Sequence, residues 1–186
     1  MNIILASKSP RRVEILNLAQ IVHQSIPSNK EEKIVAGCSP EQVVTMLAVQ
    51  KASDIAQNHF HDVVIGADTI VVIDQNILGK PHTEKEAISM LQQLSGRTHR
   101  VMTGVCVINQ TTKDVFVETT EVTFSPLSQA EIINYIHTEQ VYDKAGSYAV
   151  QGSGCKYIEK IQGDFYNVMG LPICKLYQLL NRRQYL

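Results

Sequence analysis

Val63 to Ile73 is fit for a long buried strand, with Val64, Ile65, Ile70, Val71 and Val72 supplying branched apolar side chains, yet a lone carboxylate, Asp68, stands inside it. An ionised Asp is rarely tolerated in a core unless it is paired or holds a metal. The Gly66-Ala67 pair just ahead of it is expected to leave space beside the backbone for a ligand. A turn at Gln75-Asn76 then sends the chain back through Leu78 and puts Lys80 on the far side of a hairpin. Gly79 and Pro81 constrain the backbone on either side of that lysine. An acid and a lysine on opposing strands are suited to a magnesium-bound phosphate, so this stretch reads as a site. The bland reading, an Asp68 satisfied by local amides, stays open at this stage.

Around this strand the chain alternates between the two regular structures. Asn2 to Ala6 is an apolar run, and Ser9 with Pro10 opens a helix to about Leu18. A short strand is expected over 21–26, then a polar loop over 27–38. Ser39, Pro40 and Gln42 cap a helix to about Asn58, while Thr83 with Glu86 and Ser128 with Glu131 make capping boxes for helices through Leu94 and His137. Ser95-Gly96 ends the former. Strands are expected over 100–108 and 115–124, joined by the polar connection 109–113, and over 156–161. Residues 146–154 read as a loop, and Pro172 sits early in a last helix to about Asn181. This order gives an α/β fold with a mixed sheet. No repeat, low-complexity tract or linker divides it.

The 186 residues suit one domain. A net charge of −1 argues against broad binding to nucleic acid, though not against a small basic pocket for one phosphorylated metabolite. No apolar run reaches the roughly 20 residues of a membrane helix, and nothing reads as a secretory signal, so a cytoplasmic protein is expected. Cys38, Cys106, Cys155 and Cys174 are too scattered for a zinc knuckle and are expected to be free, buried thiols.

Two further segments have phosphate-binding chemistry. Leu5-Ala6-Ser7-Lys8-Ser9-Pro10-Arg11-Arg12 takes a strand through a serine turn into a helix start, where backbone amides favour anions. Arginine normally sits poorly at that positive end, and two make more sense with an anion between them. A solvated, capped helix start is the alternative, and the glycines of a nucleotide loop are absent. Asp143 to Tyr148 with Gln151-Gly152 forms a donor-rich loop that includes Lys144, and the Gln151 amide can both donate to and accept from the edge of a base. Alone, Glu31, Glu32 and Lys51 read as surface charges. The histidines are scattered and read as non-catalytic.

Taken in order, these segments resemble the Maf family of nucleoside triphosphate pyrophosphatases. The matching blocks are residues 5–12, Glu31-Glu32-Lys33, 47–52, Gly66-Ala67-Asp68-Thr69, 78–81, 94–99, 103–105, 143–148, Gln151-Gly152 and 163–172, nearly the whole chain. The resemblance implies a single domain over 1–186 with the inosine-triphosphatase-like fold, in which a mixed twisted sheet and flanking helices make two lobes around a central cleft. It further implies a homodimer and a house-cleaning hydrolysis between the α and β phosphates, assisted by a divalent metal, most often magnesium. Asp68 matches the proposed general base, Glu32 an acid implicated with it in metal binding, and Lys51 and Lys80 lysines that hold phosphates. Ser7 and Arg12 match the phosphate-binding turn, with Lys144 in the donor-rich loop. Glu31 stands where relatives often have Asp.

Within the family, Arg11, Thr69 and Gln151 match the subgroup resembling dTTP/UTP pyrophosphatases. A subgroup acting on methylated GTP has an aromatic residue, Gln and Glu there, which suits a cationic purine. The implied substrate is therefore a pyrimidine triphosphate. The rivals are the same chemistry on methylated GTP, and a nucleotide-binding regulator of cell division without turnover.

Overall fold

The computed structural model describes residues 1–110 and 112–186; Thr111, in the expected 109–113 connection, lies outside the described residues. The elements run β1 (Ile3–Leu5), α1 (Pro10–Leu18), β2 (Gln24–Ser25), α2 (Pro40–Ala56), β3 (Val63–Ile73), β4 (Asn76–Leu78), α3 (Glu84–Leu94), β5 (Thr98–Asn109), β6 (Thr112–Phe124), α4 (Gln129–Thr138), β7 (Ile158–Gln162), α5 (Phe165–Met169) and α6 (Ile173–Arg182). Among the described residues the strands form one seven-stranded mixed sheet. Its order is β2-β1-β3-β5-β6-β7, with β4 paired to β3. β1 lies parallel to β2 and β3, whereas β4 and β7 run antiparallel to β3 and β6. The chain divides into two compact units, Met1–Thr69 with Thr103–Glu118 and Gly170–Leu186, and Ile70–Met102 with Thr119–Met169.

In the first unit, α2 lies against the sheet through small residues. A Cβ on Gly66 would stand 2.3 Å from the Ala48 carbonyl oxygen, and one on Gly104 would stand 2.4 Å from that of Val44. The room expected beside Gly66 for a ligand is therefore filled by the backbone of α2. Ala48 and Ala52 are fully buried there, with Ile4, Ala6, Val64 and Cys106 beneath them. The second unit packs differently. Leu91, Leu94, Ile132 and Ile136 of α3 and α4 meet Val71, Phe124, Tyr135, Tyr148 and Tyr157. His99 is buried among Phe124 and Tyr148, and its Nε2 lies 2.7 Å from the Tyr148 hydroxyl. Burial pulls the His99 imidazole down to about 4 and pushes the Tyr148 phenol up.

The local signals hold unevenly. The capping boxes at Ser39-Gln42 and Ser128-Glu131 form completely. At α3 only half forms: the Thr83 side chain accepts from Glu86 N, while the Glu86 carboxylate takes His82 N at 2.8 Å. Ser9 makes no side-chain cap; its own N–H donates to Ser7 Oγ at 3.1 Å. The hairpin turns one residue earlier than expected, at Asp74 and Gln75, both with positive φ, and Lys80 lies beyond the end of β4 rather than on a strand. The strand expected over 21–26 shrinks to two residues, and a short helix, α5, forms within the 163–172 block. All four cysteines are free, but only Cys106 is buried, its thiol pushed up to about 11, while Cys155 and Cys174 are exposed. Among the described residues no helix is long and apolar enough to cross a membrane.

Candidate functional site

Close approach of α2 to β3 decides where Lys51 goes. Ala48 and Ala52 meet the strand at Gly66, and Asp68, two residues further along β3, shares that face of the sheet. Lys51, beside Ala52 on the helix, reaches Asp68: its Nζ donates to Asp68 Oδ1 at 2.5 Å. The same ammonium lies 2.9 Å from Glu32 Oε1. Lys51 and Asp68 side chains are 18% and 14% exposed, against 51% for Glu32, so a paired inner acid and lysine meet an outer, solvated acid.

Glu32 is brought there by a loop tied to α2. Gln50 holds the neighbouring Lys33 backbone from both sides, accepting its N–H at 3.0 Å and donating to its carbonyl at 2.6 Å. Ser28 and Lys30 both reach Asp54, one turn further along the helix, at 2.7 and 2.8 Å. Gln50 was not singled out in the sequence, although it adjoins Lys51 in the 47–52 block. A polar residue beside a site lysine was the only signal, and its partner is a backbone group no pattern reveals.

The turn before α1 makes a second constellation. Ser7 and Arg12 are buried, at 6% and 8% exposure. Arg12 donates from Nη1 to Ser7 Oγ at 3.1 Å, from Nη2 to Thr69 Oγ1 at 3.0 Å and from Nε to the Gly170 carbonyl at 2.8 Å. Thr69 Oγ1 also lies 2.9 Å from Thr103 Oγ1. Burial lowers the pKa of Arg12, opposed chiefly by the charge of Asp68, but a guanidinium keeps its proton at neutral pH. The two arginines were expected to make more sense with an anion between them; three of the five Arg12 N–H groups donate to protein oxygens, and Arg11 is half-buried. Thr103 and Gly170 join the site residues without having been assigned a role.

The remaining expected residues belong to the second unit. Lys80 is exposed, and the carbonyl of Gly79 before it accepts from Gly146 N at 3.0 Å. Gly146 and Ser147 both take left-handed φ, 68° and 64°. The Lys144 ammonium donates to Asp143 Oδ1 at 2.7 Å and to the Gln140 carbonyl. Gln151, half-buried, precedes the 3₁₀ turn Gly152–Tyr157, which Ser153 fastens to Glu139 Oε1 with bonds of 3.2 and 2.6 Å.

A mixed α/β sheet thus carries a lysine between two carboxylates and, at a helix start, a serine-arginine turn. A family model described as Maf-like protein matches residues 2–183, and the chain belongs to that family. It is 51% identical over 180 residues to the dTTP/UTP pyrophosphatase of Bacillus mycoides (strain KBAB4), a match covering 97% of this chain and 94% of the relative. With the protein of the same name from Bacillus velezensis (strain DSM 23117 / BGSC 10A6 / LMG 26770 / FZB42) it shares 51% over 178 residues, 96% and 94% of the two chains. The Staphylococcus aureus Ham1 protein structure aligns with a TM-score of 0.49 at 11% identity, covering 84% of this chain and 93% of that one.

Proposed function

We propose that this chain is a metal-dependent nucleoside triphosphate pyrophosphatase that hydrolyses the α–β bond of dTTP and UTP to the monophosphate and pyrophosphate. The observation that carries the reading is Lys51 held between Asp68 and Glu32, in a chain half identical to relatives bearing that activity as their name. A triphosphate repels a nucleophile until its charge is neutralised, so the site must supply cations as well as a base. Lys51 is the cation placed beside Asp68, and Asp68 orients the attacking water and accepts its proton. Ser7 and Arg11 sit at the start of α1, where free amides favour phosphate oxygens.

The donor set also fits a divalent metal. Two carboxylate oxygens converge on the position of a single cation, and magnesium takes one or two protein carboxylates while keeping waters. Glu32 and Asp68 would hold it; when bound it neutralises phosphate charge and acidifies water. Among the described residues no group of three or more His, Cys, Asp or Glu forms, so water and substrate oxygens would complete its shell. For Lys80, Lys144, Thr69 and Gln151 the phosphate- and base-binding roles rest on sequence resemblance. A neutral Gln151 amide suits the alternating donors and acceptors of uracil or thymine.

The test is pyrophosphate release with magnesium across common and modified triphosphates. UTP and dTTP turned over well ahead of purines support the reading. Preference for methylated GTP would keep the chemistry and overturn the substrate, and binding without any turnover would favour a regulator. Asp68→Asn should retain the fold and lose at least about a hundredfold in turnover, as removal of a general base does.

A further inference from the structure

The resemblance gives Arg12 a place among the phosphate ligands, but its bonds show a different occupation. Three of its donors, Nε, Nη1 and Nη2, already hold protein oxygens at 2.8–3.1 Å, and none of those oxygens belongs to a carboxylate. The residues it joins come from three separate stretches: the turn after β1, the middle of β3 and the residue just after α5. Gly170, whose φ of 117° only glycine takes readily, turns its carbonyl to Arg12.

The same arrangement engages the Thr69 hydroxyl. A hydroxyl offers one proton and two lone pairs. Thr69 Oγ1 accepts from Arg12 at 3.0 Å and pairs with Thr103 Oγ1 at 2.9 Å, and the Gly170 carbonyl lies further off at 3.4 Å. Its two short bonds are therefore both made within the protein. Thr69 also follows Asp68 directly along β3, and successive strand residues face opposite sides. Asp68 meets Lys51 of α2, whereas Thr69 meets Arg12 of α1.

We infer that Arg12 is a positioning residue: acting through Thr69, it pins β3 from the face opposite Asp68 and so fixes the carboxylate against Lys51. This rests on the pyrophosphatase reading, because the pinned carboxylate matters most as the reacting base. Small displacements of such a group are costly, since a shift of about 1 Å costs about a hundredfold. A lock on the strand therefore acts on turnover rather than on substrate affinity. It also assigns the Thr69 hydroxyl to the lock.

A double-mutant cycle decides the matter. Arg12→Met, Thr69→Val and the double variant are assayed with UTP and CTP, with inhibition by pyrophosphate measured alongside. Each single variant should lose at least tenfold in kcat, with KM and pyrophosphate inhibition changed less than threefold and the UTP-to-CTP ratio preserved. The double variant should be no worse than the poorer single one, because both remove the same lock. Thr69→Ser, which keeps the hydroxyl, should stay within threefold of the parent.

Losses that multiply, or pyrophosphate inhibition weakened tenfold in Arg12→Met, would overturn the inference in favour of direct phosphate contact. A tenfold change in the UTP-to-CTP ratio in Thr69→Val would overturn it in favour of base reading by the hydroxyl. Should Arg12→Met fail to fold, the contrast between Thr69→Val and Thr69→Ser carries the test, and equal activity of the two sinks the lock. The same cycle followed by urea unfolding needs no substrate. Midpoint shifts that simply add refute the lock, whereas a parent protein that turns over no triphosphate refutes the pyrophosphatase reading instead.

Discussion

Arg12 in the first unit and His99 in the second are both side chains that can carry a positive charge, and both are buried, at 8% and 2% exposure. Their surroundings are opposite. Arg12 is met by three oxygens, while His99 sits between aromatic rings with one hydroxyl partner and an Nδ1 atom that no hydrogen bond reaches among the described residues. The difference follows from what each group can give up. A guanidinium cannot shed its proton at any ordinary pH, so the fold must surround it with acceptors. An imidazole can enter the core neutral, and its burial is recorded in a pKa lowered to about 4. Acceptors collected around an immovable charge tie three separate segments together, whereas the neutral ring needs only its aromatic neighbours and one hydroxyl.

Removing the charge from Arg12 is therefore the largest break. Arg12→Met should lower stability by about 5 kcal/mol, because hydrogen bonds to a charged donor are each worth about 1.5–3 kcal/mol and three oxygens lose theirs. Its urea midpoint at pH 7 measures this, and a loss below about 1 kcal/mol would show that the cage does not depend on its cation. The effect should be independent of pH across the range in which His99 titrates.

The histidine gives the next largest effect, and here the sign depends on pH. The unfolded imidazole titrates near 6.5 and the native one at about 4, so the unfolded chain holds more protons between those values. Stability from this group is complete above pH 6.5, falls by about 3 kcal/mol on acidification and levels off below pH 4. Subtracting the unfolding curves of His99→Gln from those of the parent at pH 7, 5.5 and 4 isolates this part; a constant difference would contradict it.

A solvated charge marks the lower end. Glu32→Gln should change stability by less than about 1 kcal/mol, since a half-exposed ion pair is screened and worth little. Activity of the same variant should need at least tenfold more magnesium. An unchanged magnesium requirement would remove Glu32 from the metal.

Much of this was legible from single residues. Asp68 announced itself as a charge in an apolar strand, and the helix starts at Ser39 and Ser128 were written in side chains that bond three residues away. Lys51 was legible only through resemblance, because its partner lies seventeen residues on and across a helix–strand contact. Gly66 misled: a missing side chain shows that something comes close, but a ligand and a helix backbone leave the same mark in a sequence. Gln50 and Gly170 stayed hidden because each acts through, or upon, a main-chain group that every residue possesses. The Arg12 cage was invisible for a related reason, its three acceptors being far apart in the chain.

The contact of α2 with Gly66 and Gly104 also limits how this chain can vary over generations. Every single-base change in a glycine codon that alters the amino acid brings in a residue with a Cβ, and at both places that atom would collide with a carbonyl of the helix main chain. No replacement on the helix can relieve the collision, because all twenty residues carry the same carbonyl. These two codons are thus closed to one-step drift, and with them the register that delivers Lys51 to Asp68, while the surrounding surface stays open to change. A mutational library of this chain should return those two positions almost empty of survivors, in contrast to tolerant surface positions such as Leu18 and Val22, which are 62% and 91% exposed.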